Sequence, residues 1–76
     1  MIPVVIPPDL WEGDVEGAVS AWLFAEGDAV REGDLIAEVM VEKTSYDVTA
    51  PADGMLQIRI PAETPFKRGT IIAAIG

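Results

Sequence analysis

The side chains available for covalent chemistry in this sequence are few. Cysteine and histidine are both absent, which removes the thiolate nucleophile, the usual zinc ligands and the commonest general base. Ser20 and Ser45 therefore have no histidine to activate them, and a free-standing enzyme is disfavoured. What remains is two lysine amines, Lys43 and Lys67. Lys43 lies in Glu38-Val39-Met40-Val41-Glu42-Lys43-Thr44-Ser45-Tyr46-Asp47-Val48. One apolar, β-rich segment runs in and another runs out, so the lysine falls where a tight reversal is expected. A lone amine at a hairpin tip is well placed to be modified by another protein and poorly placed to do chemistry alone. Lys67 opens a Lys67-Arg68-Gly69 turn without that context and reads as a solubilising charge.

The elements that must position Lys43 are strands. Short apolar runs alternate with Gly, Pro and Asp punctuation, and no ten-residue segment keeps a helical apolar period. Strands are expected at Met1 to Ile6, Ala18 to Phe24, a short piece from Val30, Leu35 to Val41, Ser45 to Thr49, Met55 to Ile60, Phe66, and Ile71 to Ile75. Turns are expected at Glu26-Gly27-Asp28, Glu32-Gly33-Asp34, Pro51-Ala52-Asp53-Gly54 and Lys67-Arg68-Gly69. Gly33 and Gly54 are read as structural turn residues that permit positive φ or close backbone approach. Core candidates are Phe24, Leu35, Val39, Leu56, Ile58, Ile71 and Ile75, with Trp22 core or half-buried.

The chain also repeats itself. Arg31-Glu32-Gly33-Asp34-Leu35-Ile36-Ala37-Glu38-Val39 matches Lys67-Arg68-Gly69-Thr70-Ile71-Ile72-Ala73-Ala74-Ile75, and Gly17-Ala18-Val19-Ser20-Ala21-Trp22-Leu23 matches Gly54-Met55-Leu56-Gln57-Ile58-Arg59-Ile60. Two copies are too few for a solenoid. They predict an all-β flattened barrel or sandwich of two antiparallel sheets, with internal pseudo-two-fold symmetry, spanning residues 1–76 as one domain. The first copy's last strand runs into Lys43 and the second copy's runs into Gly76, so the lysine and the termini are expected at opposite ends. The first half carries about six extra residues between its proline and glycine, in a loop that holds Trp11, Glu12 and Asp14. Two readings of Trp11 stand open: an exposed aromatic for partner contact, or a side chain folded back to cap the core.

Thirteen acidic residues against five basic ones give a net charge of −8. Phosphate backbones would be repelled, so nucleic acid is not an expected partner. The charge serves solubility or the recognition of basic partner surfaces. No apolar run is long enough to span a bilayer, the N-terminus lacks signal-peptide features, and cytoplasmic residence is the default. No metal site is expected.

From Val5 to Ile75 the sequence resembles a lipoyl domain of the biotinyl/lipoyl carrier family. The resemblance is carried by Glu26-Gly27-Asp28, Glu32-Gly33-Asp34, Glu42-Lys43, Ala50-Pro51 and Gly54. Family lipoyl domains carry Asp-Lys-Ala at the tip, and this chain has Glu42-Lys43-Thr44; biotin carriers flank the lysine with methionine, and here Met40 is three residues away. A second departure is Pro61-Ala62-Glu63-Thr64-Pro65, where relatives often have a glycine, and a reshaped loop is expected there. The resemblance implies a non-catalytic carrier. A lipoyl ligase or lipoyltransferase would attach lipoate to Lys43, reading Glu42 and Thr44. The arm would be reductively acylated at a thiamine-diphosphate-dependent decarboxylase. It would then pass the acyl group to coenzyme A at an acyltransferase core, and be reoxidised at a dihydrolipoyl dehydrogenase. It further implies that the loop with Trp11, Glu12 and Asp14 lies near the lysine and aids partner recognition. A biotin carrier and an unmodified barrel-sandwich adaptor are the alternatives. The isolated domain is expected to be a monomer, either excised from a longer acyltransferase, the favoured reading, or a small stand-alone carrier.

Overall fold

A computed structural model describes all residues 1–76. Seven strands form: β1 (Ile2–Val5), β2 (Ala18–Trp22), β3 (Ala29–Val30), β4 (Leu35–Val41), β5 (Thr44–Thr49), β6 (Gly54–Ile58) and β7 (Ile71–Ile75). They build two antiparallel sheets, β1-β7-β6-β3 and β2-β4-β5. Phe66, expected as a short strand, pairs with Gly17 as an isolated bridge and extends the second sheet by one residue. The all-β sandwich read from the sequence is thus the observed fold.

The two-fold is written in the backbone hydrogen bonds. Val30 pairs with Gly54, and its repeat mate Phe66 pairs with Gly17. The Gly33 amide donates to the Ala50 carbonyl at 2.9 Å, and the Gly69 amide donates to Ile6 at 2.9 Å. The Gly27 amide reaches the Leu56 carbonyl at 2.7 Å, while the Glu63 amide reaches Val19 at 2.8 Å. Each of the last two bonds crosses from one half to the other, so neither half closes alone. Glu63 stands where the first copy has Gly27, and it adopts the same left-handed backbone, φ 66° against 85°. At that residue the loop expected to be reshaped keeps the backbone turn and cross-half bond of its mate. A glutamate accepts a conformation that costs it about 1 kcal/mol, because the cross-half bond requires it.

A single hydrophobic cluster lies between the sheets, with Ile6, Val19, Ile36, Val39, Leu56, Ile72 and Ile75 fully enclosed. Of the core candidates, Val39, Leu56 and Ile75 are buried, and Phe24, Ile58 and Trp22 pack half-buried against the cluster. Leu35 and Ile71 correct the expectation: they are 39% and 49% exposed, while the next residues, Ile36 and Ile72, are enclosed. These two are repeat mates, each opening its strand. Both start uninterrupted apolar runs, so no alternation marks the inward face. In β4 a register shift between Leu35 and Ala37 changes the parity, so that Ile36, Ala37 and Val39 all face in.

Gly54 opens β6 rather than sitting within the preceding turn. Its φ is 151°, and a Cβ there would lie 2.7 Å from Ile75 Cγ2. Gly54→Ala is expected to lower unfolding free energy in urea by about 3 kcal/mol, from overpacking and backbone strain together. By contrast, Glu63→Gly is expected to raise it by roughly 0.5 kcal/mol, the relief of the left-handed penalty less the entropy of glycine. A stability loss in Glu63→Gly would mean that the side chain, not the backbone, sustains that loop.

Candidate functional site

The β4–β5 hairpin carries the candidate amine. Its register runs Met40 with Ser45, then Val41 with Thr44, leaving Glu42 and Lys43 as a two-residue turn. Glu42 has φ 54°, and Lys43 is not in the positive region. That is the φ sign pattern of a II′ turn, whose twist matches the flanking strands. Val41 points inward and is buried; Glu42, Lys43, Thr44 and Ser45 are all exposed. A six-residue ladder beneath the turn holds the tip at a fixed angle. One register step below the turn the Ser45 hydroxyl donates to the Met40 sulfur at 3.3 Å, and no hydrogen bond or ion pair holds the Lys43 amine. None of the three surface concavities is lined by Lys43. The geometry displays an amine to solvent; it does not enclose a reaction.

The Trp11 loop sits under this tip. Trp11 is only 7% exposed, so the reading of it as an exposed contact is corrected in favour of the core cap. Its ring lies 6.1 Å from the Tyr46 ring and 6.5 Å from Phe66. The indole N–H donates to the Val15 carbonyl at 2.8 Å, which explains how a polar nitrogen is carried into a buried position. Tyr46 belongs to the lysine hairpin, so the loop and the hairpin share this aromatic plug. What the loop offers outward is Glu12, Gly13 and Asp14, all exposed, with Gly13 at φ 86° making the reversal.

Two residues that the sequence reading took only as parts of turns or strand boundaries matter here. Gly17 is buried beside the tip: a Cβ there would meet Val41 Cγ2 at 3.0 Å and the Trp11 ring at 3.1 Å. Arg68 reaches across from the other half, its Nη1 donating to the Pro8 carbonyl at 3.1 Å and the Trp11 carbonyl at 2.9 Å. The repeat hinted at Gly17 through Gly54; nothing in the sequence pointed to the reach of Arg68. Gly33 is exposed at φ 89° with open space around a notional Cβ, so its role is conformational alone.

The termini lie far from this tip. β5 runs six residues away from the tip, about 20 Å, to Thr49, and Gly54 follows five residues on, where the end of β7 packs against it. There the Gly76 and Met55 amides and carbonyls bond to each other, and Ile2 pairs with Ile75. Chain continuing from either terminus would leave from the end opposite Lys43.

Fold and tip together define a class: a β-sandwich that presents a lysine and encloses no catalytic cavity around it. Comparison with known proteins agrees. The sequence model of the biotin/lipoyl family, described as biotin-requiring enzyme, matches residues 4–75, and the chain belongs to that family of carrier domains. It is 40% identical over 62 residues to the dihydrolipoyllysine-residue acetyltransferase component of an acetoin cleaving system from Pseudomonas putida, covering 79% of this chain and 16% of that protein. It is 36% identical over 52 residues to the succinyltransferase component of a 2-oxoglutarate dehydrogenase complex from Rickettsia felis, covering 68% of this chain and 13% of that protein. It is 32% identical over 69 residues to the acetyltransferase component of a pyruvate dehydrogenase complex from Staphylococcus aureus, covering 91% of this chain and 15% of that protein. The chain thus spans a sixth or less of the length of these relatives. No solved structure matches it.

The plug is testable without any partner. Trp11→Phe keeps a ring but loses the indole hydrogen bond and is expected to cost about 1 kcal/mol. Trp11→Ala empties the plug and is expected to cost about 3 to 5 kcal/mol in denaturant unfolding. Equal, small losses in both variants would place Trp11 outside the core.

Proposed function

We propose that this chain is a lipoyl carrier and that Lys43 is its attachment point. The observation that carries the reading is the two-residue turn Glu42-Lys43, which holds one free, exposed amine at the tip of a six-residue ladder. A modifying enzyme needs an accessible amine in a reproducible position, and a rigid hairpin supplies both. Glu42 and Thr44 flank the amine in the open, where a ligase can read them. Lipoate is favoured over biotin by those flanks, since methionine stands at neither neighbouring position, and by relatives whose names specify dihydrolipoyllysine residues.

The tip fits such a group. No hydrogen bond or ion pair holds the amine, and Lys43 lines none of the three surface concavities. Lipoate joined to the Lys43 Nζ through an amide would supply a disulfide that takes up an acyl group and two electrons. The protein's share is presentation. Acylation removes the lysine's positive charge, leaving the neighbouring Glu42 carboxylate as the charged group of the turn. The separation of tip and termini suits a tethered module: chain leaving at Gly76 leaves the tip free to visit successive active sites at high effective concentration. The sites visited are a thiamine-diphosphate-dependent decarboxylase, an acyltransferase core and a dihydrolipoyl dehydrogenase. Specificity for the 2-oxo acid, or for acetoin, then belongs to the decarboxylase.

The test is intact-mass measurement after co-expression with a lipoyl ligase. One lipoyl adduct is expected on the wild type and on Lys67→Ala, and none on Lys43→Ala. A wild-type chain that stays unmodified would sink the carrier reading. A streptavidin-reactive chain after co-expression with a biotin ligase, without a lipoyl adduct, would transfer it to biotin.

A further inference from the structure

The internal two-fold lets the outer faces of the two sheets be compared position by position. β7 is the repeat mate of β4, and β1 pairs with β7 as β5 pairs with β4. Pro3 and Ala74 are cross-strand partners on the outer face of the first sheet; their neighbours Val4 and Ala73 pair on the inner face and are buried. In the second sheet the same two positions hold Asp47 and Glu38, also cross-strand partners. Two carboxylates directly opposite one another cost a sheet stability, and this fold accepts them. Folding therefore does not call for uncharged residues at Pro3 and Ala74.

The first sheet is free of acids. None of the thirteen acidic residues lies in β1, β3, β6 or β7. Gln57 pairs with Ala74 from the far side, and Val5 pairs with Ile71. Val5, Ile71, Met55 and Met1 are each 43% exposed or more. The one charge that reaches over this face is Arg59, whose Nη2 donates to the Met1 sulfur at 4.0 Å. Those two side chains, with Pro3, Ile71 and Ala74, line a shallow cleft of about 390 Å³. The edges of the sheet are blunted, since β1 carries a proline and β3 is two residues long. A partner is therefore taken on the face and not added as a strand. Four strands of up to five residues make a face of roughly 19 by 17 Å, on the order of 300 Å², within the range of the largest apolar patch on a monomer.

We propose that the outer face of the β1-β7-β6-β3 sheet docks a second copy of this chain, face to face about a two-fold axis. The proposal goes beyond the carrier reading and does not depend on it. Two chains of net charge −8 repel wherever their acids oppose one another. Across this face no strand brings a carboxylate to the contact, and the apolar area of one copy is covered by the same area of the other. Closed two-fold pairing uses up the patch on both copies. Two such faces bury about 600 Å², below the range of stable dimers. The pairing is therefore weak, with monomer in dilute solution and dimer at high concentration. Lys43 sits on the hairpin of the other sheet, so neither tip is covered. Apolar contact drives this pairing and net charge opposes it, so added salt tightens it. Docking of the Arg59 face on the Glu38 and Asp47 face of another copy would be loosened by salt instead.

The test is sedimentation equilibrium and NMR of the unmodified chain from about 0.05 to 2 mM, the range in which so small an interface fills. A monomer–dimer equilibrium is expected, with amide shifts that move with concentration on β1, β6 and β7. Raising sodium chloride from about 0.02 to 0.3 M is expected to tighten it about threefold. Pro3→Asp with Ala74→Glu, the pair that the mate sheet carries, is expected to weaken pairing about tenfold or more. Ser20→Asp with Thr49→Asp adds the same charge to the other sheet and is expected to stay within about threefold of wild type. A chain that stays monomeric at the highest concentration would overturn the proposal. So would assemblies beyond the dimer, a dimer that loosens with salt, shifts centred on another surface, or equal losses in the two double variants. Circular dichroism and urea unfolding check that each variant is folded. If Pro3→Asp with Ala74→Glu is not, Ile71→Glu, at a half-exposed position, decides alone: a folded chain with about tenfold weaker pairing supports the face, and wild-type pairing refutes it. No step involves lipoate, so failure here and failure of the carrier reading are distinguishable.

Discussion

Two equivalent backbone hydrogen bonds hold the halves of this chain to one another: Gly27 to Leu56, and Glu63 to Val19. Each amide lies in a tight left-handed turn, and each carbonyl lies on a strand of the opposite half. A chain of 76 residues without cysteine has no staple other than its core and such exchanges. The exchange brings two sheets face to face, and the cluster from Ile6 to Ile75 fills the space between them. Once the turn geometry is imposed, a glutamate adopts a backbone angle usually left to glycine, because that angle aims its amide at the Val19 carbonyl of the other half.

On this symmetric frame three departures stand out. A closed hairpin replaces two free ends, a loop replaces a turn, and an arginine replaces a glutamate. All three gather around Gly17, whose missing side chain lets Val41 and the Trp11 ring close over one another. The indole plug ties the loop to the strand that leaves Lys43. Rigidity at the tip therefore comes from the ladder below it and the aromatic contacts beside it. The amine itself is left with nothing to hold it, and a carrier lysine needs that combination.

The lysine turn, the repeat and seven of the eight expected strands were readable from residue types and spacing, with Phe66 reduced to a bridge. Turn residues and β-branched runs are local signals, and local signals survive without knowledge of the partners. The inward face of β4 and β7 was not readable. Leu35-Ile36-Ala37 and Ile71-Ile72-Ala73 are apolar at every step, so parity is set by a register shift that depends on the neighbouring strand. The fate of Trp11 was open for a similar reason, since an acidic loop is equally consistent with a ring displayed or a ring withdrawn.

Composition alone ruled out a thiol, histidine or zinc-centred reaction and left Lys43 as the residue of interest, because chemistry of that kind depends on which side chains exist at all. Position in space settled the rest. Trp11 finds Tyr46 and Phe66 across distances of 35 and 55 residues in the chain, and Arg68 reaches the Pro8 and Trp11 carbonyls from the opposite half. Contacts of that range leave no periodicity or spacing in the sequence. They exist only after the two sheets close, when the backbone carbonyls of one loop come within reach of one guanidinium.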